Sequence, residues 1–164
     1  MDALAKKVGE ALRTAKASLV TAESCTGGWA AQVVTSVAGS SEWFERGFVT
    51  YSNASKQELL GVRAETLARH GAVSEETARE MARGALERSR GTVALAITGV
   101  AGPGGGTREK PVGTVCFAWA RRGEAERSET QRFEGDREAV RRQSVVHALD
   151  GVLKDLTQTG RGPT

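Results

Sequence analysis

The sequence predicts one α/β domain, a three-layer α/β/α sandwich around a mixed sheet with a parallel core and a C-terminal antiparallel hairpin. Three observations lead there. Stripes at helical spacing alternate along the chain with short apolar runs, and the run Thr92 to Thr98 is long enough and apolar enough for a central strand covered on both faces. Aromatic residues make up only 5% of the chain, which leaves Ala, Val and Leu to fill the space between helices and sheet. The length of 164 residues suits one hydrophobic core rather than two.

Leu4, Ala5, Val8, Ala11, Leu12 and Ala15 form the stripe of a first helix over Asp2 to Ala15. A short strand follows from Ser18 to Ser24. It stops at Thr26-Gly27-Gly28, after which Trp29 to Val34 resumes as helix. A second unit of the same form follows. Gly47 to Tyr51 is strand-like, Ser52-Asn53 supplies a helix cap, and the helix from Ala54 ends with Leu60 at Gly61. Ser74 caps the next helix, with Glu75 and Glu76 near its positive end and Ala78, Met81, Ala82, Ala85 and Leu86 on its buried face.

The central strand Thr92–Thr98 runs into a glycine-rich loop, Gly99 to Thr107. Gly113 to Ala120 and Glu126 to Phe133, joined by Arg121 to Ala125, read as a β-hairpin. Asp136 opens a last amphipathic helix through Val145, Leu149, Val152 and Leu156. The expected domain covers residues 1–157, with a flexible tail at 158–164. Trp43 and Phe44 suit the core or an interface equally well.

Charge and cysteine usage exclude several function classes. The net charge is +3, but 23 basic and 20 acidic residues interleave through every third of the chain, the pattern of a solvated surface rather than a nucleic-acid footprint. The N-terminus has no apolar signal segment, and no run approaches the ~20 apolar residues of a membrane span. Cys25 and Cys116, and the histidines His70 and His147, have no metal-ligand spacing. A cytoplasmic protein without metal, membrane or nucleic acid is expected.

Three polar loops end predicted strands: Glu23 to Gly28, Tyr51 to Lys56 and Thr98 to Thr107. Ligands in open α/β sheets bind beyond the carboxyl ends of strands, so the three can converge on one cleft. Ser24 stands before a glycine turn that opens a helix, where unpaired N–H groups suit an oxyanion; Ser24 or Thr26 as a plain helix cap is an equally good reading. Cys25 is a rival nucleophile, and alternation along a strand turns these neighbours to opposite faces. Lys56 falls in the first turn of a helix, where the dipole disfavours a cation and burial would further ease loss of its proton; a solvated surface lysine is the alternative. Tyr51 is a hydrogen-bond donor or an ordinary strand residue. The third loop has no Walker or dinucleotide glycine spacing, although its amides and Lys110 suit a phosphate.

The strings Thr21-Ala22-Glu23-Ser24-Cys25-Thr26-Gly27-Gly28, Tyr51-Ser52-Asn53 with Lys56, Gly71-Ala72-Val73-Ser74, Ile97-Thr98-Gly99-Val100-Ala101-Gly102-Pro103, Gly105-Gly106-Thr107 and Lys110 to Val115 resemble, in order, the CinA C-terminal domain family. Gly135-Asp136-Arg137 with Arg141 is similar to its last block, and the chain resembles the stand-alone form. The resemblance implies hydrolysis of nicotinamide mononucleotide to nicotinate mononucleotide and ammonia in pyridine nucleotide recycling, with no metal or organic cofactor. It implies Ser24 as nucleophile and Lys56 as base, with Tyr51 and Thr98 in the same polar site. Glu23, Thr26, Gly27, Gly28 and Gly99 belong with these in binding substrate or oxyanion. Gly105, Gly106, Thr107, Lys110, Arg137 and Arg141 are the candidates for the ribose phosphate, and Arg137 and Arg141 share a helix face. A homodimer or higher homo-oligomer is also implied. A protein-binding role in competence or DNA damage, and an amidase using Cys25, are the alternatives.

Overall fold

The computed structural model describes residues 1–158. Alternating patterns become five strands and six helices: α1 (Asp2–Thr14), β1 (Leu19–Glu23), α2 (Trp29–Thr35), β2 (Phe44–Val49), α3 (Asn53–Leu60), α4 (Ala64–His70), α5 (Glu75–Glu87), β3 (Val93–Gly99), β4 (Thr114–Arg121), β5 (Arg127–Arg132) and α6 (Arg137–Gln158). The strand order is β2-β1-β3-β4-β5. β1 is parallel to β2 and β3, while the β3–β4 and β4–β5 pairs are antiparallel. This is the expected mixed sheet. Residue 158 still belongs to α6, and 159–164 of the expected tail lie outside the described residues.

Alternation within the buried strands sorts side chains to two cores. Leu19, Leu95, Ile97, Phe117 and Trp119 face α1, α2 and α6, with Val8, Leu12, Val140 and Leu149. Val20, Ala22, Ala94, Ala96 and Ala118 face α3 and α5, with Leu60, Met81, Ala82 and Ala85. The second core is built of small residues, so helices come close to the sheet and to each other. At Gly84 a Cβ would stand 1.8 Å from the carbonyl oxygen of Leu60, so α5 and α3 pack backbone to backbone there. Trp43 is buried at 2% exposure and belongs to the core, packed over Gly9.

Two short elements carried no pattern: α4, whose N-cap Arg63 makes no side-chain cap, and a 3-10 turn at Ser40–Glu42. The chain leaves β1 toward β2 on one side and reaches β3 on the other. The order therefore reverses beside β1, where a crevice opens past the carboxyl ends of β1 and β3. Among the described residues no helix is long and apolar enough to cross a membrane.

Candidate active site

Ser24 follows the last residue of β1, and its N–H donates to Ile97 O of β3 at 3.0 Å, which fixes it at the crevice. The chain then turns sharply: Gly27 N–H donates to Ser24 O, and Gly27 and Gly28 take φ of +60° and +102°, where a side chain would be strained. The carboxylate of Glu23 is fully buried beneath this turn. It accepts from Thr26 Oγ1 (2.7 Å), Ala30 N (2.8 Å) and Ala31 N (3.1 Å). Glu23 thus holds the first amides of α2, where the dipole favours a negative charge. Glu23 and Thr26 are engaged with each other, and the helix N-terminus expected to be free for an anion is filled from within.

Lys56 reaches the same point from the opposite side of the crevice. Ser52, not Asn53, is the N-cap of α3, its Oγ accepting from Ser55 N at 3.0 Å. This puts Lys56 at the end of the first helical turn, pointing inward at 1% exposure. Its Nζ lies 3.0 Å from Ser24 Oγ, 2.8 Å from Thr50 O and 3.4 Å from Tyr51 O. Burial pushes its pKa below the ordinary lysine value. A neutral amine has two N–H bonds and one lone pair. Two carbonyls take the former and leave the latter for the Ser24 hydroxyl.

Cys25 is 6% exposed and packs in the core shared with α2 and α6. Burial pushes its thiol up to about 11, so the thiolate is scarce at neutral pH.

These residues line a cavity of about 290 Å³ with Ala72, Val73, Val100, Ala101, Gly102, Gly104 and Arg137. Thr98, Gly99 and Gly105 line it as well, and no carboxylate does. The Thr98 hydroxyl is held by Ala72 O at 2.8 Å. The walls Ala72-Val73 and Val100-Ala101 escaped the residue-level reading because apolar pairs carry no chemical signal of their own. A larger groove of about 710 Å³ between α1 and α6 is lined by neither Ser, Cys nor His. No group of three His, Cys, Asp or Glu that could hold a metal ion occurs among the described residues.

The six candidates for the phosphate separate in space. Arg137 opens α6 and donates to Gly102 O (2.7 Å) and to the hydroxyl of Tyr51 (3.2 Å), a ring that is 64% exposed at the cavity mouth. Gly105 lies beside it, whereas Gly106 is packed against Val112. Thr107 Oγ1 accepts from Lys110 N, and Lys110 Nζ donates to His70 O in a neighbouring cavity with Ser74, Cys116 and Thr130. Arg141, one turn beyond Arg137, donates instead to Cys25 O and Thr26 O.

The model of the CinA C-terminal domain matches residues 1–156. Nicotinamide-nucleotide amidohydrolase PncC of Escherichia coli is 56% identical over 156 residues, 94% of each chain. The protein of the same name from Pseudomonas putida is 54% identical, covering 92% of this chain and 94% of its own. The crystal structure of the competence/damage inducible protein CihA from Agrobacterium tumefaciens superposes with a TM-score of 0.92 at 45% identity, over 96% of this chain and 95% of that one.

Proposed function

The chain belongs to the CinA C-terminal domain family, and from that premise we propose that it hydrolyses the carboxamide of nicotinamide mononucleotide to nicotinate mononucleotide and ammonia. The observation that carries this reading is the 3.0 Å approach of Lys56 Nζ to Ser24 Oγ inside a cavity without a carboxylate, together with the amidohydrolase activity for which the PncC relatives are named. Such a pair supplies a nucleophile and its base without a histidine.

In the proposed reaction neutral Lys56 takes the Ser24 proton as Oγ attacks the carboxamide carbon. The carbonyl oxygen becomes an oxyanion held by backbone N–H groups of the loops after β1 and β3. The C–N bond breaks, and the Lys56 proton leaves with nitrogen as ammonia. Water then attacks the acyl-serine, giving its proton to Lys56, which returns it to Ser24 Oγ as the acid departs. Arg137 and the amides at Gly104-Gly105 are the groups we assign to the phosphate, since they sit at the mouth of this cavity and Arg pairs with phosphate through its planar fork. Lys110 lines the neighbouring cavity and Thr107 lines neither, so both stay outside this assignment.

We extend the reading to pyridine nucleotide recycling in the cytoplasm by a homo-oligomeric enzyme, on the family resemblance alone. Ammonia release from nicotinamide mononucleotide by the purified protein, with the product identified by mass as nicotinate mononucleotide, tests the activity. A folded sample that releases none would overturn it.

A further inference from the structure

We propose that Lys110 is a positioning residue: from the glycine-rich loop it ties that loop to the wall Ala72-Val73 and so sets the width of the cavity in which Ser24 and Lys56 meet. The inference rests on the amide-hydrolysis reading and gives Lys110 a task other than holding phosphate.

The wall lies between the end of α4 and the cap of α5, and it has no regular structure of its own. Carbonyls at the C-terminus of a helix have no intrahelical partner. Here three consecutive ones are taken by side chains from three places. Lys110 Nζ donates to His70 O at 2.7 Å, Thr77 Oγ1 and Ser74 Oγ donate to Gly71 O at 2.7 and 3.0 Å, and Thr98 Oγ1 of β3 donates to Ala72 O at 2.8 Å. Thr98, Ala72 and Val73 line the cavity of the dyad, whereas Lys110 and His70 line its neighbour, and Val73 lines both. The segment is thus a partition between two cavities, held by Thr98 from one side and by Lys110 from the other.

Lys110 belongs to the opposite rim. The loop that carries it is closed at its base, where Val100 N donates to Thr114 O and Gly113 N to Val100 O, both at 2.8 Å. Its far end is closed by Thr107, whose N donates to Lys110 O at 2.9 Å and whose Oγ1 accepts from Lys110 N at 3.0 Å. Gly102 and Gly106 sit so close to Val112 that a Cβ on either would stand 2.5 or 2.7 Å from it. The loop is therefore a packed unit, and the same unit brings Gly102, Gly104 and Gly105 to the cavity. Of the side chains that hold the three carbonyls, Lys110 alone comes from this unit. Its charged donor, stronger than a neutral one, fixes one side of the cavity against the other. A shift of about 1 Å in a group that positions substrate can cost about 100-fold in rate.

The test separates this tie from a phosphate contact. Lys110→Met keeps the length of the stem without the donor, and Lys110→Arg restores a donor that can reach the same carbonyl. Steady-state ammonia release from nicotinamide mononucleotide is expected to show kcat/KM lowered about tenfold or more in Lys110→Met and within about threefold of wild type in Lys110→Arg. A double-mutant cycle with Val73→Ala then reports the route. If Lys110 acts through the wall, cutting Val73 back leaves little for its loss to displace, and the double variant falls no more than about threefold below the lower single one. Amide hydrogen exchange over residues 70–74 is expected to quicken about tenfold or more in Lys110→Met, with α1 unchanged. Effects that multiply in the double variant, as a direct phosphate contact predicts, would overturn the assignment, as would wild-type kcat/KM in folded Lys110→Met. Absence of turnover in the wild type would count against the activity itself, and in that case unchanged exchange over residues 70–74 would overturn the tie as well.

Discussion

Lys56 Nζ stands 3.0 Å from Ser24 Oγ although the residues are 32 positions apart and on opposite sides of the crevice. The amine is 1% exposed, its other two partners are backbone carbonyls, and no carboxylate lines the cavity to hold it charged. A buried lysine without a counter-ion is costly to keep as ammonium, which is the condition a lysine base needs near neutral pH.

The first consequence concerns pH. The Lys56 pKa is lowered in the folded protein, so between that value and the unfolded one the unfolded chain binds more protons, and this group's contribution to stability rises with pH through that interval. Below the folded pKa the cost of burying the ammonium is fully present. Lys56→Met is therefore expected to be inactive yet to melt at a higher temperature than the wild type at pH 7, an advantage that shrinks as pH rises toward 10. The wild-type kcat rises with pH as Lys56 loses its proton. Thermal melts at several pH values and a pH–rate profile check both signs.

Cys25 offers the opposite case. With its thiol pushed up to about 11 and packed in the core, it is mostly protonated at neutral pH. Cys25→Ala is expected to retain kcat within about fivefold and to lose roughly 1 kcal/mol of stability for the small void. Kinetics with urea unfolding test this; loss of all turnover in a folded Cys25→Ala would support the thiol as nucleophile.

Glu23 is expected to matter through structure. Glu23→Gln places an amide NH₂ among three donors and leaves buried N–H or O–H groups unpaired, at a cost of about 1–3 kcal/mol. Because the turn it anchors carries Ser24, kcat falls as well, while Glu23→Ala loses more of both. Urea midpoints and kcat measured on the same preparations check the coupling.

Gly84 lies far from the chemistry but sets the seat of α3. A Cβ 1.8 Å from Leu60 O must push α3 off α5, and Lys56 rides on α3. Gly84→Ala is expected to destabilise by about 2 kcal/mol or more and to lower kcat in the protein that remains folded. Unchanged kcat at a lowered midpoint would show that the dyad tolerates the shift.

Much of this was legible beforehand because it depends on local pattern. The continuous run at Thr92–Thr98, the glycine stop after Ser24 and the Ser74 cap each specify an element without help from distant residues. The three loops were also foreseen as one cleft, since strand ends in parallel sheets converge. What the sequence could not reveal depends on side chains crossing the fold. Nothing in Glu23-Ser24-Cys25-Thr26 says that the carboxylate turns down to hold Ala30 and Ala31, and nothing in α6 says that Arg137 reaches the cavity while Arg141, on the same face, reaches the carbonyls behind it. Lys110 looked available next to a glycine loop, but only the fold shows its amine on His70 O. Helix α4 went unread because Arg63 makes no side-chain cap to announce it.

The central claim is that Ser24 attacks and Lys56 takes its proton. Ammonia release from saturating nicotinamide mononucleotide, measured side by side for the wild type, Ser24→Ala and Lys56→Met, tests it most directly. Turnover is expected in the wild type and a loss of about 10³-fold or more in each variant, with both still binding the substrate. Turnover within tenfold of wild type in a folded Ser24→Ala would contradict it.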